Sequence, residues 1–490
     1  MSPILILLIF LSYTAALFSI SLITSRRATN LSYFLGNRQS PWLVVAYGMV
    51  GTSLSGVTFI SIPGWVGDTY FSYMMVVFGY VVGYAVITTI LLPVYYKMKL
   101  TTIYTYLEER FGFWSYKTGS FYFLLSRIIG ASFRMFLVIN VLQLFIFDYF
   151  GIPFWTSVLI FMVLITLYSF KGGIKTIVWT DMLQTTFMLL SLMITIYIIL
   201  NQLNINLPEM IAEVSERGYS KIMIMDWRHD RFYLKQFFSG MFITIVMTGL
   251  DQDMMQKNLS CRNLKDAQKN LSLLSFILIP VNLLFMFLGA SLFVYASKMG
   301  IAIPELTDDL FPTLAFNHFG ALAGIVFFLG LIAAAYSSAD SAITALTTTF
   351  TIDFLGINRR DHLSQKNKIH LRYKTHFFIT SLIILVIVLF REINDQAVIA
   401  KLFTIAGYTY GPLLGLFAFG LFSNYSLKDR YVPLVAILSP LICWLLSSFS
   451  EQLFGGYKFG FEILIVNGLL TFAGLFLIRN SKIRNTLANK

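Results

Sequence analysis

The stretch GMVGTSLSGVTFISIPGW, residues 48–65, decides the fold. It lies inside an apolar run long enough to cross a bilayer. Yet it carries Gly48, Gly51, Gly56, Pro63 and Gly64 among five small hydroxyl residues, Thr52, Ser53, Ser55, Thr58 and Ser61. Close packing of neighbouring helices through small residues accounts for the glycines. It accounts less well for five hydroxyls in ten residues. An interrupted helix frees carbonyl groups at membrane depth, and freed carbonyls coordinate cations. The composition therefore predicts a helix that unwinds here for function.

The rest of the chain agrees with a membrane setting. Of 490 residues, 57% are hydrophobic and 12% charged, and the mean hydropathy is +0.74. Soluble domains are about 45–50% apolar and about 25% charged. These values exclude a cytosolic enzyme and a disordered chain. Cys261 and Cys443 are too few for a disulfide framework or a four-cysteine zinc site. A transmembrane barrel would alternate over segments of about ten residues, whereas the apolar runs here are long and continuous.

Thirteen spans are expected: 3–24, 42–65, 71–96, 118–147, 153–170, 176–201, 236–256, 271–297, 319–353, 375–390, 397–422, 431–449 and 459–478. The first has no Lys or Arg before it and Arg26 and Arg27 after it, so it reads as a retained helix with the N-terminus outside. That orientation places 25 of the 36 Lys and Arg residues in inner loops, Lys257 among them, against 8 in outer loops. The net charge of +12 then faces the cytoplasmic leaflet rather than nucleic acid. An odd number of spans puts the C-terminus in the cytoplasm.

A second polar cluster, AAAYSSADSAITALTTT, occupies residues 333–349. Ala334, Ser337, Ser338 and Ser341 are spaced to share one helix face, with Asp340 among them. A hydroxyl on a helix can instead bond back to the carbonyl four residues earlier. As a group, hydroxyl and carbonyl oxygens with at most one carboxylate suit a hard monovalent cation such as sodium. Calcium would want more carboxylates. Other ionisable residues fall within spans: Asp181, Arg127 and Arg134 on one face of the fourth, Asp251 and Asp253 closing the seventh, and Lys401 opening the eleventh. Intramembrane ionisable groups are costly and mark function. An arginine facing the interior can hold a substrate carboxylate through two parallel hydrogen bonds. His362, His370 and His376 read as a solvated surface beside a basic loop. No P-loop, HExxH or GxSxG motif is present, and the chain does not read as an enzyme.

Five motifs resemble, in order, those of the sodium:solute symporter family. They are LSGVTFISIPG (54–64), GGIKTIVWTDMLQ (172–184), GLDQDMMQKNLSCRNLKDAQK (249–269), AAAYSSADSAI (333–343) and AGYTYGPLLGLF (406–417). The resemblance covers nearly the whole chain. It implies one all-α transporter domain over 1–490 with a leucine-transporter-like core of two five-helix inverted repeats. The extra helix 3–24 comes first, the repeats span 42–201 and 236–422, and two helices at 431–478 follow. It implies a main sodium site at Gly51, Leu54, Ala334, Ser337 and Ser338. A second cation, held in some members, would fall on Asp181, Ser337, Asp340 and Ser341. Asp340 stands where the sialic acid branch has a hydroxyl, so that ion is bound more tightly, replaced by a proton, or absent. Ser53, Ser55 and Thr58 match hydroxyls that grip a sugar acid in that branch, and Arg127 or Arg134 would supply the guanidinium.

The expected function is sodium-coupled import of a small organic solute by alternating access, leaning to a carboxylate or a sugar acid such as sialic acid. The alternatives are a neutral sugar or amino acid carried with sodium or a proton, and a sensor-like member that does not transport. The expected partners are the solute, sodium and the lipid bilayer. Neither an organic cofactor nor an obligate protein partner is evident.

Overall fold

Backbone polar groups have no water to bond in the bilayer core, so long apolar segments close their hydrogen bonds within helices. The computed structural model describes residues 3–26, 28–360, 362–391 and 398–483. Arg27, Arg484 and Lys490, counted above on the inner side, lie outside them, as do the side chains of Lys401 and Lys482.

We label the principal helices α1 (Pro3–Thr24), α2 (Trp42–Thr69), α3 (Tyr73–Lys97), α4 (Phe113–Phe150), α5 (Phe154–Ser169), α6 (Ile174–Leu203) and α7 (Tyr233–Thr244). There follow α8 (Gln252–Leu259), α9 (Leu264–Lys298), α10 (Ala321–Phe354), α11 (Gln365–Arg391), α12 (Val398–Phe422), α13 (Val432–Ser448) and α14 (Ile463–Leu477). Among the described residues, ten helices are long and apolar enough to cross a membrane, and the chain is a multi-pass membrane protein. The other three expected spans fall on shorter helices, α5, α7 and α14. The one strand pairing found there is short, Tyr425–Leu427 antiparallel to Arg479–Ile483.

Burial separates the core from the periphery. The most apolar window of α2 is 78% buried, against 33% for α1 and 22% for the segment that contains α13. Residues with little side chain make that centre possible. A Cβ on Gly51 would meet Thr185 Oγ1 at 2.2 Å, and one on Gly48 would meet the Asp181 side chain at 2.8 Å. The α2 glycines therefore let it lie directly on α6. Gly289 of α9 meets Pro63 in the same way. Helix α10 packs on both α2 and α6, so α2, α6 and α10 share one buried seam.

Two expectations need correction. The seventh span is not continuous to 256. It ends in a wide turn at Ile245–Gly249, and α8 starts afresh at Gln252. Asp251 is the reason: its side chain caps the new helix, accepting from the backbone N–H of Asp253 at 2.9 Å and of Met254 at 3.4 Å. Lys257 is consequently carried inward, not into a loop, and is 1% exposed. His376 is not a surface group either. It is fully buried on α11, with Nδ1 2.9 Å from the Tyr33 hydroxyl and Nε2 3.3 Å from Ser169 Oγ. Helix α11 already begins at Gln365, and His376 lies on its buried face with Ile379, Thr380 and Ile383.

Candidate functional site

Helix α2 breaks at Ser55, whose backbone (φ 31°, ψ 173°) is far from helical. A non-glycine residue there is strained and persists only when its surroundings hold it. The chain has a second break, between α7 and α8, and the two differ chemically. At the second, the freed carbonyls are already used: Tyr95 donates to Gly249 O and Tyr104 to Leu250 O, both at 2.9 Å. At the first, no side chain among the described residues donates to the carbonyls of 51–54.

The α10 cluster faces this break. Leu54, Ala334, Ser337 and Ser338 are all buried to about 1% exposure or less. Ser338 does bond back, its hydroxyl donating to Ala334 O at 3.0 Å. Ser337 behaves differently. Its hydroxyl donates to Asp181 Oδ1 on α6 at 2.7 Å and lies 3.3 Å from Thr52 Oγ1 on α2. Ser337 is thus the point where the three helices meet.

Asp181 is fully engaged. Its Oδ2 accepts from Lys257 Nζ at 2.6 Å and from Thr52 Oγ1 at 3.2 Å, and Lys257 also donates to Thr52. Asp340 lies nearby, its Oδ2 accepting from the Tyr168 hydroxyl at 2.5 Å. Asp340 Oδ1 and the Ser341 hydroxyl have no partner among the described residues. Sequence reasoning missed Lys257. The signal lay in Gly249–Leu–Asp–Gln–Asp, a helix stop followed by an N-cap, which turns the next turns inward.

Beside the break lies a cavity of about 100 Å³, partly open to solvent. Ser53, Ser55 and Thr58 line one wall, and Tyr73, Tyr80 and Tyr84 of α3 another. Arg127 and Arg134 both border it, but they are not equivalent. Arg127 pairs with Asp253 and stands 3.7 Å from Asp251 Oδ2, which also accepts from the Tyr410 hydroxyl at 2.6 Å. Arg134 makes no ion pair or hydrogen bond among the described residues, and its Nε is buried without a partner. The cavity therefore offers a guanidinium with no ion pair among the described residues, hydroxyls that include those of Ser53, Ser55 and Thr58, and an aromatic wall.

A many-helix membrane chain with a broken helix, an oxygen-lined seam and a polar cavity beside the break is a secondary transporter. Comparison with known proteins names the group. The sequence pattern of the Sodium:solute symporter family matches residues 33–426, and the chain belongs to that family. It is a transporter, not an enzyme. It is 24% identical over 483 residues, covering 94% of this chain and 91% of the relative, to the sodium/sialic acid symporter NanT of Aliivibrio fischeri. It is likewise 24% identical over 458 residues, 88% of each chain, to the sodium/sialic acid symporter SiaT of Proteus mirabilis. A solved sodium-coupled sialic acid symporter, substrate-bound and outward-open, superposes with a TM-score of 0.81 at 19% identity, covering 96% of this chain and 97% of that one. The nucleobase–cation symporter Mhp1 in a closed conformation matches at 0.54 and 14% identity, covering 92% and 95%. The fold is the leucine-transporter-like one these structures share.

Proposed function

We propose that this chain imports a small organic anion, a carboxylate or a sugar acid, together with sodium. The observation that carries the reading is Arg134, a guanidinium bordering the cavity with no carboxylate of its own. Arg134 is half-buried and makes no ion pair among the described residues, so a substrate carboxylate would find two parallel donors there. Ser53, Ser55 and Thr58 would grip hydroxyls of the solute, and the three tyrosines would cover its apolar face. The similarity to two sodium/sialic acid symporters supports a sugar acid.

Sodium would bind to the carbonyls of Gly51, Leu54 and Ala334 and the hydroxyls of Ser337 and Ser338. All of these are neutral oxygens, which suits a monovalent ion. The ion would bridge α2 and α10, and it shifts the transporter toward the outward-open state by its differential affinity for that state. The core would consist of inverted repeats at 42–201 and 236–422, rocking about the site. With the N-terminus outside and the C-terminus in the cytoplasm of a cell-membrane protein, each sodium entering at −100 mV contributes about 2.3 kcal/mol.

The test is thermal unfolding of the purified protein in sodium and in choline, against sugar acids, monocarboxylates, sugars and amino acids. A ligand that binds the folded state raises the melting temperature. A rise with an acid, seen only in sodium, is the expected result. A rise equal in choline would overturn sodium coupling, and a response to neutral solutes alone would overturn the anion.

A further inference from the structure

Of the four residues implied for a second cation, Asp181 is already paired with a cationic side chain of this protein, Lys257. Asp181 has both oxygens satisfied: Oδ1 by Ser337, Oδ2 by Lys257 and Thr52. A sodium ion bound to Asp181 Oδ2 would compete with an ammonium held at 2.6 Å in a site 1% exposed. We infer that the Lys257 ammonium takes the place of a second coupling cation, so that the chain binds one sodium. The inference rests on the sodium site proposed above.

The fold puts the ammonium there deliberately. The break at Leu250–Asp251 fixes where α8 begins, and Lys257 lies in its second turn. Helix α8 packs against α2, α6 and α10, the three helices that line the seam. A lysine is suited to the role, being a compact point charge with three donors. Two of those donors are used, on Asp181 and Thr52.

Charge balance, taken with both carboxylates ionised, gives the same count. The ionisable groups that act on Asp340 from the surrounding helices include Asp181, Lys257, Tyr168 and Tyr13. With both carboxylates and the ammonium ionised, the enclosure carries one net negative charge, and one sodium at the α2 break neutralises it. Two would leave an uncompensated positive charge in a low-dielectric interior, which is strongly unfavourable. Without Lys257 the enclosure would carry two negative charges, balanced by two sodium ions. Asp340 Oδ1 and Ser341 Oγ, both unpartnered among the described residues, are oxygens the added ion would use.

Equilibrium binding of radioactive sodium to the purified protein, at ionic strength held constant with choline, decides the matter. The wild type is expected to bind one sodium per chain with no cooperativity. Lys257→Met is expected to bind two, and Lys257→Arg, which keeps the charge, one. Two sodium ions on the wild type, or still one on folded Lys257→Met, would overturn the inference while leaving the sodium reading intact. No saturable sodium binding to the wild type would overturn that reading itself. Should Lys257→Met not fold, the wild-type count alone decides.

Discussion

Lys257 Nζ lies 2.6 Å from Asp181 Oδ2, and both side chains are 1% exposed. The pair joins α8 to α6 beneath the α2 break, and Thr52 and Ser337 complete its hydrogen bonds. Charge, ion site and helix packing are thereby coupled through one contact. Breaking a buried pair from one side leaves an uncompensated charge and costs about 3–5 kcal/mol. Asp181→Ala is therefore expected to lower the melting temperature sharply. Asp181→Ala with Lys257→Met is expected to recover much of the loss. Additive losses in the double variant, read by thermal unfolding, would show that the contact is not an ion pair of consequence.

Ser338 and Ser337 are expected to differ in their sodium dependence. Ser338→Ala removes one proposed ligand and little else, since its hydroxyl otherwise only bonds back to Ala334. Loss of one hydrogen-bond-sized contact to a charge, about 1.5 kcal/mol, raises the sodium concentration for half-saturation roughly tenfold. Ser337→Ala also strips Asp181 of a donor, so it is expected to reduce stability as well as affinity. Unaltered sodium titrations for both variants would remove the proposed site.

The two arginines are expected to separate by readout. Arg134→Ala takes away a group with no partner among the described residues, so it should spare stability and sodium binding while abolishing the thermal response to an acidic solute. Arg127→Ala strands Asp251 and Asp253, both fully buried, and should lower the melting temperature even without solute. A full response to acid in Arg134→Ala would end the anionic reading.

Gly51 offers a test of the seam itself. Its missing Cβ leaves room for Thr185 Oγ1, which a methyl group would meet at 2.2 Å. Gly51→Ala is expected to push α2 off α6 and weaken sodium binding, at the cost of overpacking, about 1–3 kcal/mol. Thr185→Ala in the same chain relieves the clash and should restore part of the binding. Failure of that rescue, measured by sodium titration, would place the defect in the α2 backbone rather than in its contact with α6.

Local composition made much of this legible. Glycine, proline and hydroxyl residues crowded into an apolar run marked the α2 break, because such residues serve a membrane helix only where it packs closely or opens. The serine face of α10 was readable from its spacing, since helical periodicity assigns neighbours without tertiary information. The α7–α8 break was harder, because Asp251 reads equally as the end of a span or as the cap of a new helix. That ambiguity sent Lys257 to a loop and left its partnership with Asp181 unseen. His376 was misplaced for a similar reason: its sequence neighbours are basic, but its neighbours in space are Tyr33, Ser169 and Thr347.

The amino-acid sequence by itself determined an all-α membrane chain, its broken helix, its hydroxyl-rich face and its membership of a transporter family. These follow from local hydropathy, helix periodicity and motif order. Only the tertiary structure decided which arginine is free and which is neutralised, and which carboxylate already holds a cation. Those distinctions depend on charges that approach one another from segments far apart in the chain, such as Asp181 with Lys257 and Arg127 with Asp253. Electrostatic pairing acts through space, and no spacing along a sequence encodes it.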